Sequence, residues 1–482
     1  MGFTLNRGCC RFLSRLVQIG LAVFAAAILV LRPLPVQAGL FDDFSIHDEA
    51  ELGRKFNLMV RSRLPIIEDP EIKQYVRMVV DRLAKAIPPQ PFPFKTDVIL
   101  HPSMNAFAVP GGYVFAHTGL IIQLEHESEL AAVIAHELAH VTQRHVANRI
   151  DRSKYTSLAS LVGALAGAFL GGKGNADVGG ALLAGSMAAG QSAMLSYSRL
   201  DETEADQIGL QYLIKAGYAP RGMVGAFEKI RKRQWSSGIV VPEYLSTHPD
   251  IGNRVNDIST RISLLSSSIR NRPEDDSRFL RVRTLLMARY ANVDVALRQF
   301  VAAGENNGLA LMGRGMLAAR TNRVKEAEEL FNRAIAASPN DALIRREAGA
   351  FHYNVGSGKA EALLTQALRL DPKDSMTQYW HARLLDDSGR RSEAQQYFRQ
   401  LLKNYPDDAE IHQYLGVSLG KSQQLCEGWL HLAYSALYQN DMGKAMRWFG
   451  KAKAEAKTPE QKRLLSKFEE TLKARREYLK ND

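Results

Sequence analysis

The sequence predicts a mainly α protein in two parts: an α+β domain with a small β-hairpin and sheet, then an α-solenoid. Three observations carry that expectation. Apolar residues recur at helical spacing along most of the chain. Strand-like runs are confined to one stretch, residues 95 to 116. Beyond residue 300 a pattern of small and large apolar residues returns roughly every 34 positions. The 482 residues are enough for two or three sizeable cores, and the composition is that of a globular protein.

The first 38 residues stand apart. Arg7, Arg11 and Arg15 precede an apolar run from Val17 to Leu31, and Val36-Gln37-Ala38 follows with small residues where a signal peptidase reads. The apolar run is short for a membrane span, which needs ~20 residues. Residues 1–38 therefore read as a signal peptide cleaved after Ala38, and the mature chain as exported. Cleavage removes Arg7, Arg11, Arg15 and Arg32 and no acid, which lowers the formal net charge from +11 to +7. That charge is spread out, without the basic stripe of a nucleic-acid binder, and is compatible with peripheral contact at an anionic membrane. Cys9 and Cys10 leave with the signal peptide and Cys426 remains alone, so the mature chain is expected to rest on packing and metal rather than disulfides.

From Gly39 to about Ala86 two helices are expected, with Leu52, Phe56 and Val60, then Ile72, Val76 and Val80, at helical spacing. Pro88, Pro89, Pro91 and Pro93 end them. Lys95–Leu100, Ala106–Val109 and Tyr113–Ala116 read as strands, with Pro110-Gly111-Gly112 as the turn of a hairpin. Asn105, Ala106, Phe107 and Ala108 form a candidate substrate-binding edge strand, whose free N–H and C=O groups could pair with an extended peptide.

The next helix carries Ser128 as its expected cap, Glu129 in its first turn, and Leu130, Val133, Ile134, Leu138 and Val141 as its apolar spacing. His145 is expected at its end. Between Thr156 and Ala193 lie two short apolar segments, Leu158–Leu170 and Val178–Ala189, around a glycine-rich break. A close-packed helical hairpin is expected there, the alternative being a lid or membrane-touching element. Tyr197–Tyr218 resumes a helix, Thr247-His248-Pro249-Asp250 reads as a turn, and Asn271–Asp276 as a polar linker. The first domain is thus placed at 39–270 and the second at 277–482.

The second domain repeats. Residues 308–341 carry Gly315, Ala327, Phe331, Ala334 and Pro339; the next unit carries Gly349, Ala360, Leu364, Ala367 and Pro372; a third carries Ala382, Ala394, Phe398, Leu401 and Pro406. After an apparent extra segment, Ala409–Leu425, a fourth unit supplies Ala433, Ala445, Phe449 and Ala452, and a degenerate one with Ala296 and Phe300 opens the array. Small residues recur where paired helices cross and prolines where the second helix stops, which resembles tetratricopeptide repeats.

Chemistry concentrates in His136-Glu137-Leu138-Ala139-His140. On a helix His136 and His140 lie one turn apart, so both imidazoles can reach one cation. Glu137, about 100° round the helix, flanks that cation as a base acting on the water it activates. A catalytic zinc usually takes three protein ligands. Gln143 and Val146 stand where a metzincin needs Gly and its third His. The third ligand must come from elsewhere, and the Arg199–Gly209 segment offers acids: Glu202 and Asp206 share a face, so one can bind metal while the other orients a ligand imidazole. Asp201 is a weaker candidate.

These residues, with Asn105-Ala106-Phe107 before them and His248-Pro249 after, resemble the M48 family of zinc metallopeptidases. The resemblance covers the mature chain and is closest to exported members that carry a tetratricopeptide array. It implies a gluzincin-like α+β metallopeptidase fold, one Zn2+ per chain held by His136, His140 and Glu202, Glu137 as base and Asp206 in support. It also implies a periplasmic location, work on unfolded or misassembled outer-membrane proteins, and contact of the repeats with the β-barrel assembly machinery. In the family a His-Pro with a downstream Arg follows the third ligand, so His248 is a candidate either for donating to the substrate's developing oxyanion or for blocking the metal, the alternative being a solvated histidine of the turn. The competing function is a chaperone or adaptor in which the array is primary and proteolysis secondary.

Overall fold

The computed structural model describes residues 44–151, 158–170, 197–236, 244 and 247–480. The expected signal peptide and the segment 178–189 lie outside them. Among the described residues no helix is long and apolar enough to cross a membrane.

Helix α1 (Ile46–Arg63) starts at a reciprocal cap between Ser45 and Asp48, and α2 (Pro70–Ala84) at the Asp69 carboxylate with proline in its first position. Both bury the apolar faces the sequence predicts. Three strands follow: β1 (Lys95–Ile99), β2 (Ala106–Val109) and β3 (Tyr113–His117). Their order is β1-β3-β2, with β1 parallel and β2 antiparallel to β3, so β2 is an edge strand. The hairpin turns through Gly111 and Gly112 at φ 85° and 81°, and a Cβ on Gly111 would lie 2.7 Å from the Glu49 carbonyl. Alternation sorts the strands: Ala106 and Ala108 face the core that holds Leu130, Ile134 and Leu138, and Phe107 and Val109 a second core with Phe56 and Phe115.

After α3 (Thr118–Gln123) comes α4 (Glu127–Thr142), the His-Glu-x-x-His helix, buried along nearly its whole length. Ser128 does not cap it; the residue lies inside the first turn and gives its hydroxyl to Glu274. The opening amides are met from a distance instead, Glu127 N–H donating to Asp276 Oδ1 at 2.8 Å. Nor does the helix reach His145: it ends at Thr142, Arg144 turns left-handed at φ 55°, and His145 opens α5 (His145–Asp151). Then come α6 (Leu158–Leu170), α7 (Arg199–Lys215), α8 (Arg221–Ser236), α9 (Ile251–Ser263) and α10 (Ser267–Arg270). Helices α7 and α8 pack directly on α4.

From Ser277 the described chain is a stack of helix pairs: α11 (Ser277–Tyr290) with α12 (Val293–Ala302), α13 (Gly308–Arg320) with α14 (Val324–Ala337), α15 (Ala342–Asn354) with α16 (Ala360–Leu370), α17 (Ser375–Asp387) with α18 (Arg391–Asn404). The last are α19 (Ala409–Lys421) with α20 (Leu425–Tyr438), and α21 (Met442–Glu455) with α22 (Pro459–Lys480). Small residues stand at the crossings as expected; a Cβ on Gly349 would lie 2.8 Å from the Leu364 side chain. Residues 409–425 are not an extra segment. They supply α19, crossing α20 where Gly416 and Gly428 meet, Gly416 at the place of Gly315 and Gly349 and Gly428 at that of Ala327 and Ala360.

The array is docked rather than tethered. Phe279, Val282 and Leu286 of α11 lie in the core around α4, while Leu285 of the same helix packs into the first repeats. The stretch 271–276, read from composition as a linker, is held down by Glu274 and Asp276 against the start of α4. Deeper in, Arg346 of α15 is 1% exposed and bonds Glu71 of α2 at 2.6 Å, Glu347 at 3.0 Å and Asp374 at 3.1 Å. Arg289 joins Asp69 to Glu347. Ionic groups this buried tie α2 to the repeats, since loss of any partner would strand a charge.

A chain ending at Asp276 should therefore be less stable than one ending at Ala303 by roughly 5 kcal/mol or more, at ~1.5–3 kcal/mol for each of three buried apolar side chains. Urea midpoints of the two truncations test this; equal midpoints would contradict a shared core.

Candidate metal centre

The α-helical rise brings His136 and His140 onto one face of α4, and their Nε2 atoms lie 3.0 Å apart. Each ring is held from behind. His136 Nδ1 lies 3.0 Å from Asp206 Oδ1, and its edge rests on the Phe227 ring. His140 Nδ1 meets His145 Nδ1 at 2.8 Å, and Tyr197 stacks on its face with centroids 3.6 Å apart. His145 in turn reaches Glu204, so it braces a ligand ring rather than joining the centre.

Helix α7 supplies the carboxylates. Ser198 and Asp201 cap its start reciprocally, and Asp201 also pairs with Arg149, which turns it away from the imidazoles. One residue on, Glu202 points inward: its Oε1 is 3.4 Å from His140 Nε2 and its Oε2 3.6 Å from His136 Nε2. Asp206, one turn further, sits behind His136. The two helices approach this closely because Gly209 faces α4, where a Cβ would lie 3.0 Å from the His136 Cα.

His248 is fully buried, not a solvated turn residue. Its Nδ1 lies 2.9 Å from Glu202 Oε1 and 3.3 Å from His136 Nε2, and its Nε2 faces Glu137 Oε1 at 3.5 Å. Tyr244 stacks on it with centroids 4.3 Å apart, and the Thr247 carbonyl accepts from Tyr197 N–H at 3.2 Å. Six residues on, Arg254 grips Asp206 through two bonds of 2.8 Å, pairs with Glu202 as well, and lies over the Phe227 ring.

Protonation follows from burial and neighbours. Burial holds both His136 and His140 below the usual imidazole range, the neutral form in which imidazole binds metal. Burial pushes Glu202 upward, but His248, Arg254 and His140 outweigh it and keep the carboxyl well below the usual range. Burial would also lower His248, and there Glu202 and Glu137 outweigh it and hold the imidazole above its ordinary value. At Glu137 burial wins: it lifts the carboxyl to about 7 although His248, the Ala108 N–H and Arg254 pull the other way.

His136, His140, Glu202 and His248 each offer an atom within 4.8 Å of the others. A tetrahedral ion with bonds of ~2.0–2.1 Å holds its ligand atoms roughly 3.3 Å apart, close to the separations found here. The donor set and its spacing therefore fit a divalent cation. Beside it, the candidate edge strand is wholly buried from Asn105 to Ala108. Asn105's carbonyl is spent on His117 N–H, and the Phe107 ring lies in the second core. The Ala108 N–H acts on the Glu137 carboxylate and favours its ionised form.

Sequence reading met Arg254 only as a downstream arginine and passed over Phe227, Tyr197, Tyr244 and Gly209. Glu202 and Asp206 buried on one helical face ask for a cation, and that demand was the signal for Arg254.

Residues 69–262 match Peptidase family M48, and residues 292–342 and 358–416 match tetratricopeptide repeats. The "Beta-barrel assembly-enhancing protease" of Escherichia coli (strain K12) is 31% identical over 324 residues, 66% of this chain and 65% of that protein. A "Putative beta-barrel assembly-enhancing protease" of Vibrio cholerae is 31% identical over 304 residues, 62% of each. The match thus spans just under two thirds of these relatives.

Gly209→Ala should cost ~1–3 kcal/mol, because the new methyl meets helix backbone rather than a side-chain tip, and should also weaken metal binding by displacing His136. Urea denaturation and a zinc titration read the two effects. An unchanged stability and an unchanged affinity would contradict the tight helix contact.

Proposed function

From an M48 peptidase domain joined to tetratricopeptide repeats, we propose a zinc-dependent endopeptidase of the periplasm, acting in assembly and quality control of outer-membrane β-barrel proteins. The observation that carries this reading is the buried convergence of His136, His140 and Glu202 beside a buried carboxylate, Glu137. His136, His140 and Glu202 would hold the zinc, which would supply the Lewis acidity to activate a water molecule and polarise a scissile carbonyl. Glu137, lifted towards neutrality by burial, takes the water's proton and returns it to the leaving amine. Asp206 fixes the orientation of His136, and Arg254 fixes Asp206. The backbone of β2 aligns an extended substrate next to Glu137.

The clients in this reading are unfolded or misassembled outer-membrane proteins, and the repeat array carries the contact with their assembly machinery; the relatives' names support a role in β-barrel assembly. His248 acts as a block. Its complete burial and its 2.9 Å approach to Glu202 support a role at the fourth ligand position over that of an oxyanion donor. A site closed at rest also favours a second reading, in which the protein serves chiefly as a chaperone or adaptor and cleaves rarely.

Purified protein should hold about one zinc per chain. His136→Ala and Glu202→Ala should lose it, whereas Glu137→Gln should keep it and lose cleavage of casein. Full zinc in Glu202→Ala would overturn the ligand assignment.

His248→Ala should raise basal casein cleavage. A fall of ~100-fold would instead assign it to oxyanion stabilisation, and no change would remove it from the reaction.

A further inference from the structure

Between the catalytic domain and the first repeats lies a cleft of about 790 Å³, lined by Met104 on one side and by Leu280, Phe300 and Leu309 on the other. That is room for one or two amino-acid residues with their side chains. Its apolar floor is joined by Lys229, Lys232 and Arg283, against a single acid, Glu125. The cations are not equivalent. Lys229 is spent on Glu125, at 3.0 Å, and on Glu129. Arg283 has no carboxylate within ion-pair reach among the described residues; it donates from Nε to the Ile122 carbonyl at 2.8 Å and from one terminal nitrogen to Gln299 Oε1 at 3.0 Å. Those two bonds reach the catalytic domain and the array, and they hold the guanidinium at the junction. Burial pulls its pKa down, and the distant Glu125 and Glu129 do not restore it. Lys232 is exposed at the rim and likewise lacks a carboxylate among the described residues. A planar guanidinium held in place with no anion, over apolar walls, suits a carboxylate attached to an apolar group.

The chain connects this cleft to the edge strand. Met104 lies two residues before β2, and Ala108 of β2 acts on Glu137. A peptide pairing antiparallel to β2 runs with its C-terminal end towards Met104. At ~3.3 Å per residue, the cleft is reached roughly four residues beyond Ala108. The charge of the cleft selects this polarity, since a parallel peptide would bring an ammonium group to Arg283. We propose that the cleft anchors the C-terminal carboxylate and final apolar side chain of a polypeptide whose upstream backbone pairs with β2. The proposal rests on the peptidase reading of β2 and Glu137, and makes polypeptides ending in a large apolar residue the preferred substrates.

Binding can be measured apart from cleavage on the full chain carrying Glu137→Gln. The probes are a fluorescein-labelled decapeptide ending in phenylalanine with a free carboxylate, the same peptide as its C-terminal amide, and laurate. The free acid should bind on the order of tenfold tighter than the amide, the scale of a hydrogen bond to a charged group. Arg283→Gln should abolish the difference and Arg283→Lys should keep part of it. Lys232→Gln, a change at an exposed position, should reduce the difference without disturbing the fold. Equal affinities for acid and amide would overturn the proposal, as would laurate binding with neither peptide bound. Absence of proteolysis in the wild-type chain would strike the peptidase reading and leave the binding result standing.

Discussion

Glu202 and Asp206 are buried one helical turn apart, and Arg254 is the cation on which that arrangement depends. Two carboxylates on one face of a buried helix would otherwise raise each other's pKa, and one would protonate. With Arg254 between them both stay ionised, one aimed at the metal position and one behind His136. The guanidinium also lies over Phe227, whose ring meets the edge of His136, so α9, α8, α7 and α4 are locked through a single side chain. Removing that side chain alone would leave two buried charges, an arrangement that costs far more than an exposed ion pair.

Much of this was readable from the chain. His136, Glu137 and His140 declare themselves by spacing, because a helix converts an interval of four into one face. The repeats declare themselves because small residues must recur wherever helices cross. Glu202 and Asp206 followed from the need for a third ligand. What could not be read depends on contacts distant in sequence. Ser128 has the right chemistry for a cap, yet it lies inside the first turn, and the Glu127 N–H that opens the helix is met by Asp276, nearly 150 residues away. Residues 271–276 have the composition of a linker and are pinned to α4. The α19 segment escaped the repeat pattern because Gly428 stands at its crossing where the earlier units have Ala327, Ala360 and Ala394. The burial of His248 depends on Tyr244 and Tyr197, whose roles as stacking partners leave no periodic trace.

The joint between the two halves gives the molecule a fixed geometry. Helix α11 belongs to both cores, and Arg289 and Arg346 bind acids of α2 and of the repeats together. On the peptidase function proposed above, an array held this way would present a client to the metal centre in one orientation, with Glu137 contributed by α4 and the cleft's far wall by the array.

The central claim is that two imidazoles and one carboxylate bind the metal while the His248 imidazole fills the remaining position. Zinc-edge X-ray absorption on the resting full-length protein and on His248→Ala tests it most directly. The account predicts scattering from three imidazoles in the first and from two in the second, with a light oxygen ligand in place of the third. Identical imidazole counts in the two proteins would contradict it.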